Sequence, residues 1–212
     1  MPRPRKFDEQ AVLTAARARF WRDGYAATSI QDLTEATGLG TQSLYGAFGN
    51  KHELFLRILD EYGTRQAAGL ENAITADPSP WHGLLAAVTF EEGGRLDLPP
   101  QGCLMANSAA ALSAQDEQVR DRSRQAYSRT LALFTRQVTR AQEVGEIDAG
   151  IDAEATARTL FTVMQGIEFL HKAGVGEAEL QLAKTAAVEM IERSVGRCHT
   201  ACPHRNQRRK RP

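Results

Sequence analysis

The chain of 212 residues carries 26 Lys or Arg against 26 Asp or Glu, with 42% hydrophobic and 7% aromatic content, which suits a helical protein of one or two domains with a sizeable core. No apolar run approaches the roughly 18 residues a membrane helix needs, and MPRPRKFDEQ lacks the apolar core of a secretory signal, so a cytoplasmic protein with no membrane partner is expected. The neutral balance is unevenly spread: residues 1–57 sum to plus two, 58–196 to minus eight and 197–212 to plus six.

In chain order, Arg3, Arg5 and Lys6, interleaved with Pro2 and Pro4, form an extended basic arm. A first helix follows from Asp8 to Asp23, with Val12, Ala16 and Phe20 on one face. Thr28 reads as the cap of a second helix, with Gln31 reciprocating, and Ile30, Leu33 and Ala36 place that helix at about Ser29 to Thr37. Gly38 supplies the left-handed exit, Leu39 turns inward, and Thr41 to Phe48 forms two more turns with Leu44 and Phe48 facing the core. Asn50 caps a long fourth helix in which Leu54, Ile58 and Tyr62 recur at spacing four.

The outward positions of the third helix are Thr41, Gln42, Ser43, Tyr45 and Gly46, with no acidic group to repel phosphate. Helix, turn and helix in this order place a small helix in a groove of double-stranded DNA. Tyr45, Lys51 and the backbone amides near Ser29 and Asn50 suit phosphates, whereas Gln42 can pair with adenine, Thr41 and Ser43 can touch a thymine, and Gln31 can reach a base from the preceding helix. The acidic middle of the chain would be repelled by DNA, so the N-terminal end and the tail are the parts to face it. The basic arm suits either a minor groove or solvent.

Beyond the fourth helix, Asp77-Pro78-Ser79-Pro80 breaks the chain, and helices are expected from about Trp81 to Glu92, Cys103 to Leu112, Gln115 to Val144, Ala153 to Ala173 and Glu177 to Val195. Gly93-Gly94 and Pro99-Pro100 bound a loop. The last two helices carry broad apolar stripes: Leu160, Val163, Met164, Ile167 and Leu170 on one, and Leu180, Ala183, Ala187, Met190 and Ile191 on the other. They serve either a partner or the core of the monomer.

Thr28, Ile30, Asp32, Leu33, Gly38, Leu39, Leu44, Tyr45, Phe48 and Lys51, preceded by Phe20 and Gly24-Tyr25, resemble the DNA-binding signature of the TetR-type (tetracycline-repressor) family across about residues 8–60. Thr34, Gly40 and Gly46-Ala47 depart from it, which weakens the capping of the recognition helix and leaves its middle without a large side chain. The resemblance implies an all-α chain of about nine helices: a helix-turn-helix head at 1–52, a helical ligand-binding and dimerisation domain at 53–196, and a basic disordered tail at 197–212. It implies a homodimer through Leu160, Val163, Ile167, Leu180, Ala183, Ala187, Met190 and Ile191, acting as a repressor on a palindromic operator. Release would come from an unidentified small molecule in a pocket, with Phe90, Cys103, Met105, Tyr127, Phe134, Phe161, Met164, Glu168 and Phe169 as candidate lining. Such residues form plain core more often than a pocket, and Glu168 is more simply read as lying on a solvated helix face.

Cys103 offers a second input. It stands near a helix N-terminus, where the dipole lowers a thiol pKa, and GCLMANSAAAL resembles a segment through which some members of the family sense electrophiles or oxidants, accompanied by a lysine for which Lys172 stands here. The alternative is a small packing cysteine. The tail holds Cys198, His199, Cys202 and His204, acceptable zinc or copper ligands, but it is short and terminal, so a disordered segment without metal is expected. No phosphate loop, nucleophile elbow or catalytic histidine spacing is present, which excludes the common enzyme classes and implies no cofactor. A helical scaffold that binds only protein is the remaining alternative, and it would show no salt-dependent affinity for duplex DNA.

Overall fold

Asp8 starts the first helix by accepting hydrogen bonds from the backbone of Gln10 and Ala11, and Gly24 at φ 80° ends it. The computed structural model describes residues 7–89 and 101–196. Within them lie nine helices and no strand: α1 (Glu9–Asp23), α2 (Ile30–Thr37), α3 (Thr41–Phe48), α4 (Lys51–Ala76), α5 (Pro80–Thr89), α6 (Leu104–Leu112), α7 (Glu117–Glu143), α8 (Ala153–Lys172) and α9 (Glu177–Ser194). The all-α expectation holds. None of these helices is long and apolar enough to cross a membrane.

Three helix starts differ from the sequence reading. The cap of α2 is Ser29, whose hydroxyl accepts from the Asp32 N–H while the Asp32 carboxylate accepts from the Ser29 N–H. Thr28 is instead buried, its hydroxyl donating to the Gly24 carbonyl, and Gln31 donates to Glu35 rather than closing a cap. Helix α5 begins at Pro80, a residue that fits a first helical position because its missing N–H has no partner there anyway. Helix α7 begins after Asp116, which caps it through the Val119 N–H. Phe90, the basic arm and the tail with Cys198, His199, Cys202 and His204 lie outside the described residues.

Two apolar clusters hold the chain together. The first joins Val12, Ala16, Phe20, Leu33, Leu44, Phe48 and, from α4, Leu54, Phe55, Leu56, Ile58, Leu59 and Tyr62 to Cys103, Leu104, Met105, Val119 and Ala126. The second joins Ile74, Trp81, Leu84 and Val88 to Phe134, Val138, Ile147, Leu160, Met164 and Ile191. Helix α4 enters both, so its N-terminal half belongs to the small head of α1–α3 and its C-terminal end to the body of α5–α9. Phe134 and Met164 are packed into the second core.

Candidate DNA interface and the α6–α8 cleft

Helix α2 is braced before α3 is added to it. Asp32 closes the capping box and pairs with Arg19 of α1. Its carboxyl is held below the usual carboxylate range, first by the Ser29 backbone N–H. Gly38, left-handed at φ 69°, lets the chain turn sharply into α3.

Only two side chains of α3, Leu44 and Phe48, are buried, and they fix which face turns outward. Thr41, Gln42, Ser43, Tyr45 and Gly46 are all exposed, so the structure brings these five together on one surface as the helical period requires. Gly40 at the N-cap contributes no side-chain hydrogen bond, in keeping with its departure from the signature. At the other end Asn50 and Glu53 form a complete capping box for α4. Lys51 follows, its Nζ lying 4.4 Å from the centroid of the Tyr25 ring. Burial pushes the Lys51 ammonium down, opposed by the Asp32 carboxylate. Ser29 and Gln31 are exposed on α2 beside this face. The Tyr25–Lys51 stacking escaped the sequence reading, because two residues 26 apart give no local signal.

In the body, Gly102, Cys103, Ala106, Asn107, Ala110 and Ala111 form one wall of a cleft of ≈ 380 Å³, and Gln165, Glu168, Phe169 and Lys172 form the other. Among the predicted lining residues, Cys103, Glu168 and Phe169 are brought together here. Met105 is buried with Ser123 donating to its sulfur, and Tyr127 packs edge-on against Phe161 with ring centroids 5.4 Å apart. The small wall of Ala106, Ala110 and Ala111 was missed, although Cys103, Ala106 and Ala110, spaced by three and four, mark a helix face without bulk.

Glu168 is buried, not on the solvated face that its sequence setting favours. It turns inward on the same side of α8 as Met164 and Phe161, close enough to Cys103 and Tyr127 to contribute to the upward shift of both pKa values. Burial, then Cys103 and Glu168, push the Tyr127 phenol up to about 12.

Cys103 also departs from expectation. It is the N-cap of α6 and 3% exposed, with the Tyr62 hydroxyl donating to its Sγ at 3.5 Å and the Gln66 amide at 3.6 Å. Burial, reinforced by Glu168, raises its thiol pKa despite the favourable helix end and these hydrogen bonds. Desolvation outweighs the dipole because water can no longer reach the thiolate. Alkylation of Cys103 by iodoacetamide at pH 7.5 is therefore expected to be at least about tenfold slower in the folded protein than in denaturant. Mass spectrometry of the Cys103 peptide over time measures this, and equal rates would remove the case for a shielded thiol.

The candidate dimer residues divide by orientation. Leu160, Ile167, Leu180 and Ile191 are buried within the single chain, and Val163, Ala183 and Ala187 are half-buried; of the eight, Met190 stands exposed. The apolar stripes mostly face this chain's own core, so the outer face lies elsewhere. On α8 it includes Thr159, Thr162, Gly166, Phe169 and Leu170, and on α9 Leu182, Ala186 and Met190. Phe169 is 69%, Leu182 72% and Met190 69% exposed, large apolar side chains left open on these two helices.

Among the described residues no group of three or more His, Cys, Asp or Glu side chains is placed to hold a metal ion. Comparison with known proteins agrees with the head and the body in turn. The model of bacterial regulatory proteins of the tetR family matches residues 12–58, and that of a tetracyclin repressor-like C-terminal domain matches residues 87–187. The HTH-type transcriptional repressor ComR of Escherichia coli strain K12 is 35% identical over 193 residues, covering 86% of this chain and 89% of its own length. The repressor BdcR of the same organism is 30% identical over 186 residues, covering 88% and 89%. A cysteine mutant of the TetR family transcriptional regulator CifR, solved in complex with 26-bp double-strand operator DNA, has a TM-score of 0.77 at 28% identity, covering 89% of this chain and 98% of that one.

Proposed function

Because the chain belongs to the TetR family and is a DNA-binding transcriptional regulator, not an enzyme, we propose that it acts in the cytoplasm as a homodimeric repressor on an inverted-repeat operator and is released by a small molecule held between α6 and α8. The observation that carries this reading is the outward face of α3, five uncharged positions held by two buried anchors and flanked by Lys51. Two such helices, one per protomer, would enter successive major grooves roughly 34 Å apart, or a multiple of that. Footprinting on DNA from upstream of its own gene tests it. The expected result is a protected inverted repeat, with affinity that falls steeply as salt rises; protection without symmetry would overturn the dimeric reading.

Across α3 and the helix ends beside it the roles separate by chemistry. Tyr45, Lys51 and the backbone at Ser29 and Asn50 would position the head on phosphates, while Gln42 reads a base with Thr41 and Ser43 beside it and Gln31 approaching from α2. Gly46 lets the backbone come close. The Gln42→Ala variant is expected to lose about 1–3 kcal/mol at one base position and to tolerate any base there. Binding measured against a set of single-base operator variants checks this, and a uniform loss on every sequence would assign Gln42 to the backbone instead.

The cleft favours a reversible ligand over thiol chemistry. Its alanine wall and Phe169 suit an apolar body, and the Glu168 carboxylate suits a hydrogen-bond donor on it. Buried Cys103 is shielded from reagents by the same packing that raises its pKa. The ligand releases DNA only by binding the released form better than the DNA-bound form.

A further inference from the structure

The backbone at Gln101–Gly102, just before α6, is gripped from two sides. From the head, the indole Nε1–H of Trp21, in the last turns of α1, donates to the carbonyls of both Gly102 at 3.0 Å and Gln101 at 3.3 Å. From the body, the Asn107 amide donates to the same Gln101 carbonyl at 2.8 Å, and Lys172 Nζ donates to Asn107 Oδ1 at 2.6 Å. The Lys172 stem lies so close over Gly102, left-handed at φ 63°, that a Cβ there would come within 3.1 Å of its Cδ. Gly102, Asn107 and Lys172 all line the cleft, whereas Trp21 does not.

The head is in turn tied to Trp21. Its neighbour Phe20 is fully buried in the first core against Phe55, and Arg19 pairs with Asp32 of α2. The Trp21 ring stands edge-on to Tyr62 with centroids 5.4 Å apart, and Tyr62 accepts from the Leu104 N–H at the start of α6. Any shift of the Gln101–Gly102 carbonyls is therefore felt at α1, and through α1 at the helix pair that carries α3.

Resting on the reading of the cleft as the effector site, we propose that Trp21 is the positioning residue through which occupancy of that cleft sets the placement of the head. A ligand that pushes Lys172 or Asn107 aside moves the two carbonyls that Trp21 holds. The indole N–H is the link, and the ring's packing on Tyr62 is not.

A double-mutant cycle tests this without knowledge of the ligand. Ala110→Phe fills the cleft from α6 and Gln165→Phe fills it from α8, so that one serves if the other disturbs folding, which circular dichroism checks. Trp21→Phe keeps a ring against Tyr62 and removes the N–H. Each filling variant is expected to weaken binding to the footprinted operator about tenfold, and to shift the Trp21 indole N–H resonance of the 15N-labelled protein, one of two tryptophan signals. In the Trp21→Phe background the same filling should change affinity by less than about twofold. The same tenfold loss in both backgrounds would overturn the role of Trp21 and leave the cleft reading standing. No loss in either background, with both filling variants folded, would overturn the cleft reading and the inference with it.

Discussion

Replacing Gly83 by alanine is expected to lower the unfolding free energy by about 3 kcal/mol, at the upper end of what overpacking costs. Gly83 lies on the face of α5 that crosses the end of α4, and a Cβ there would overlap the Ile74 carbonyl oxygen and approach Asp77 Cβ to 3.3 Å. The obstruction is backbone, which no rotamer change can relieve. Helix α5 would have to lift away from α4, and Trp81, Leu84 and Val88 would lose their packing in the second core. For a chain of this size the loss corresponds to a fall in melting temperature of about 10 °C. Gly69→Ala is the control, since nothing lies within 4 Å of a Cβ at that exposed position of α4. There the change should stabilise by roughly 0.5–1 kcal/mol through helix propensity. Thermal melts of both variants decide the matter, and an unchanged melting temperature for Gly83→Ala would show that α5 yields without cost.

The paired substitution Leu182→Glu with Met190→Glu is expected to weaken operator binding more than about a hundredfold while leaving each protomer folded. Both side chains stand on the outer face of α9, at 72% and 69% exposure, and neither lines the cleft. Charge on an exposed helix face costs an isolated chain little. In the proposed dimer the same carboxylates would face a partner across a dry interface and force it apart. A lone head then binds a half-site without the high effective concentration that its mate supplies. Sedimentation of the variant, with operator and half-site binding measured side by side, tests this; a variant that stays dimeric at full affinity would place the interface on another surface.

Local chemistry made the head and the helix bounds of the body legible, and left hidden which way the helices of the body face. Gly38 and Asn50 do what their residue types demand within a few positions of themselves, so the second turn and the start of α4 lay open to reading. The cap of α2 was off by one residue because both Thr28-x-x-Gln31 and Ser29-x-x-Asp32 satisfy the same pattern. Burial of Thr28 beneath Gly24 decides between them, and that burial is tertiary. In the body the apolar stripe of α8 was visible, but periodicity cannot say whether a stripe faces a partner or the chain's own core. Leu160 and Ile167 went inward, and the less conspicuous Thr162, Gly166 and Phe169 faced out. Cys103 failed as a low-pKa thiol for a related reason: its helix end is written in the sequence, whereas the Tyr62 and Gln66 side chains that enclose it come from 37 to 41 residues away.

The two apolar clusters meet part-way along α4 and again part-way along α7, and this shapes how the molecule melts. Cys103, Leu104, Met105, Val119 and Ala126 belong to the same cluster as α1–α3, so the cooperative unit around the head includes the start of α6 and part of α7. Loss of the head would carry those turns with it and leave the second cluster standing on its own contacts. Heating should then give two overlapping transitions instead of one all-or-none step, and a single melting temperature would blend them. Amide exchange would show the first of these openings as a shared rate for Leu33, Leu44, Met105 and Val119, residues that lie in separate helices and lose protection together.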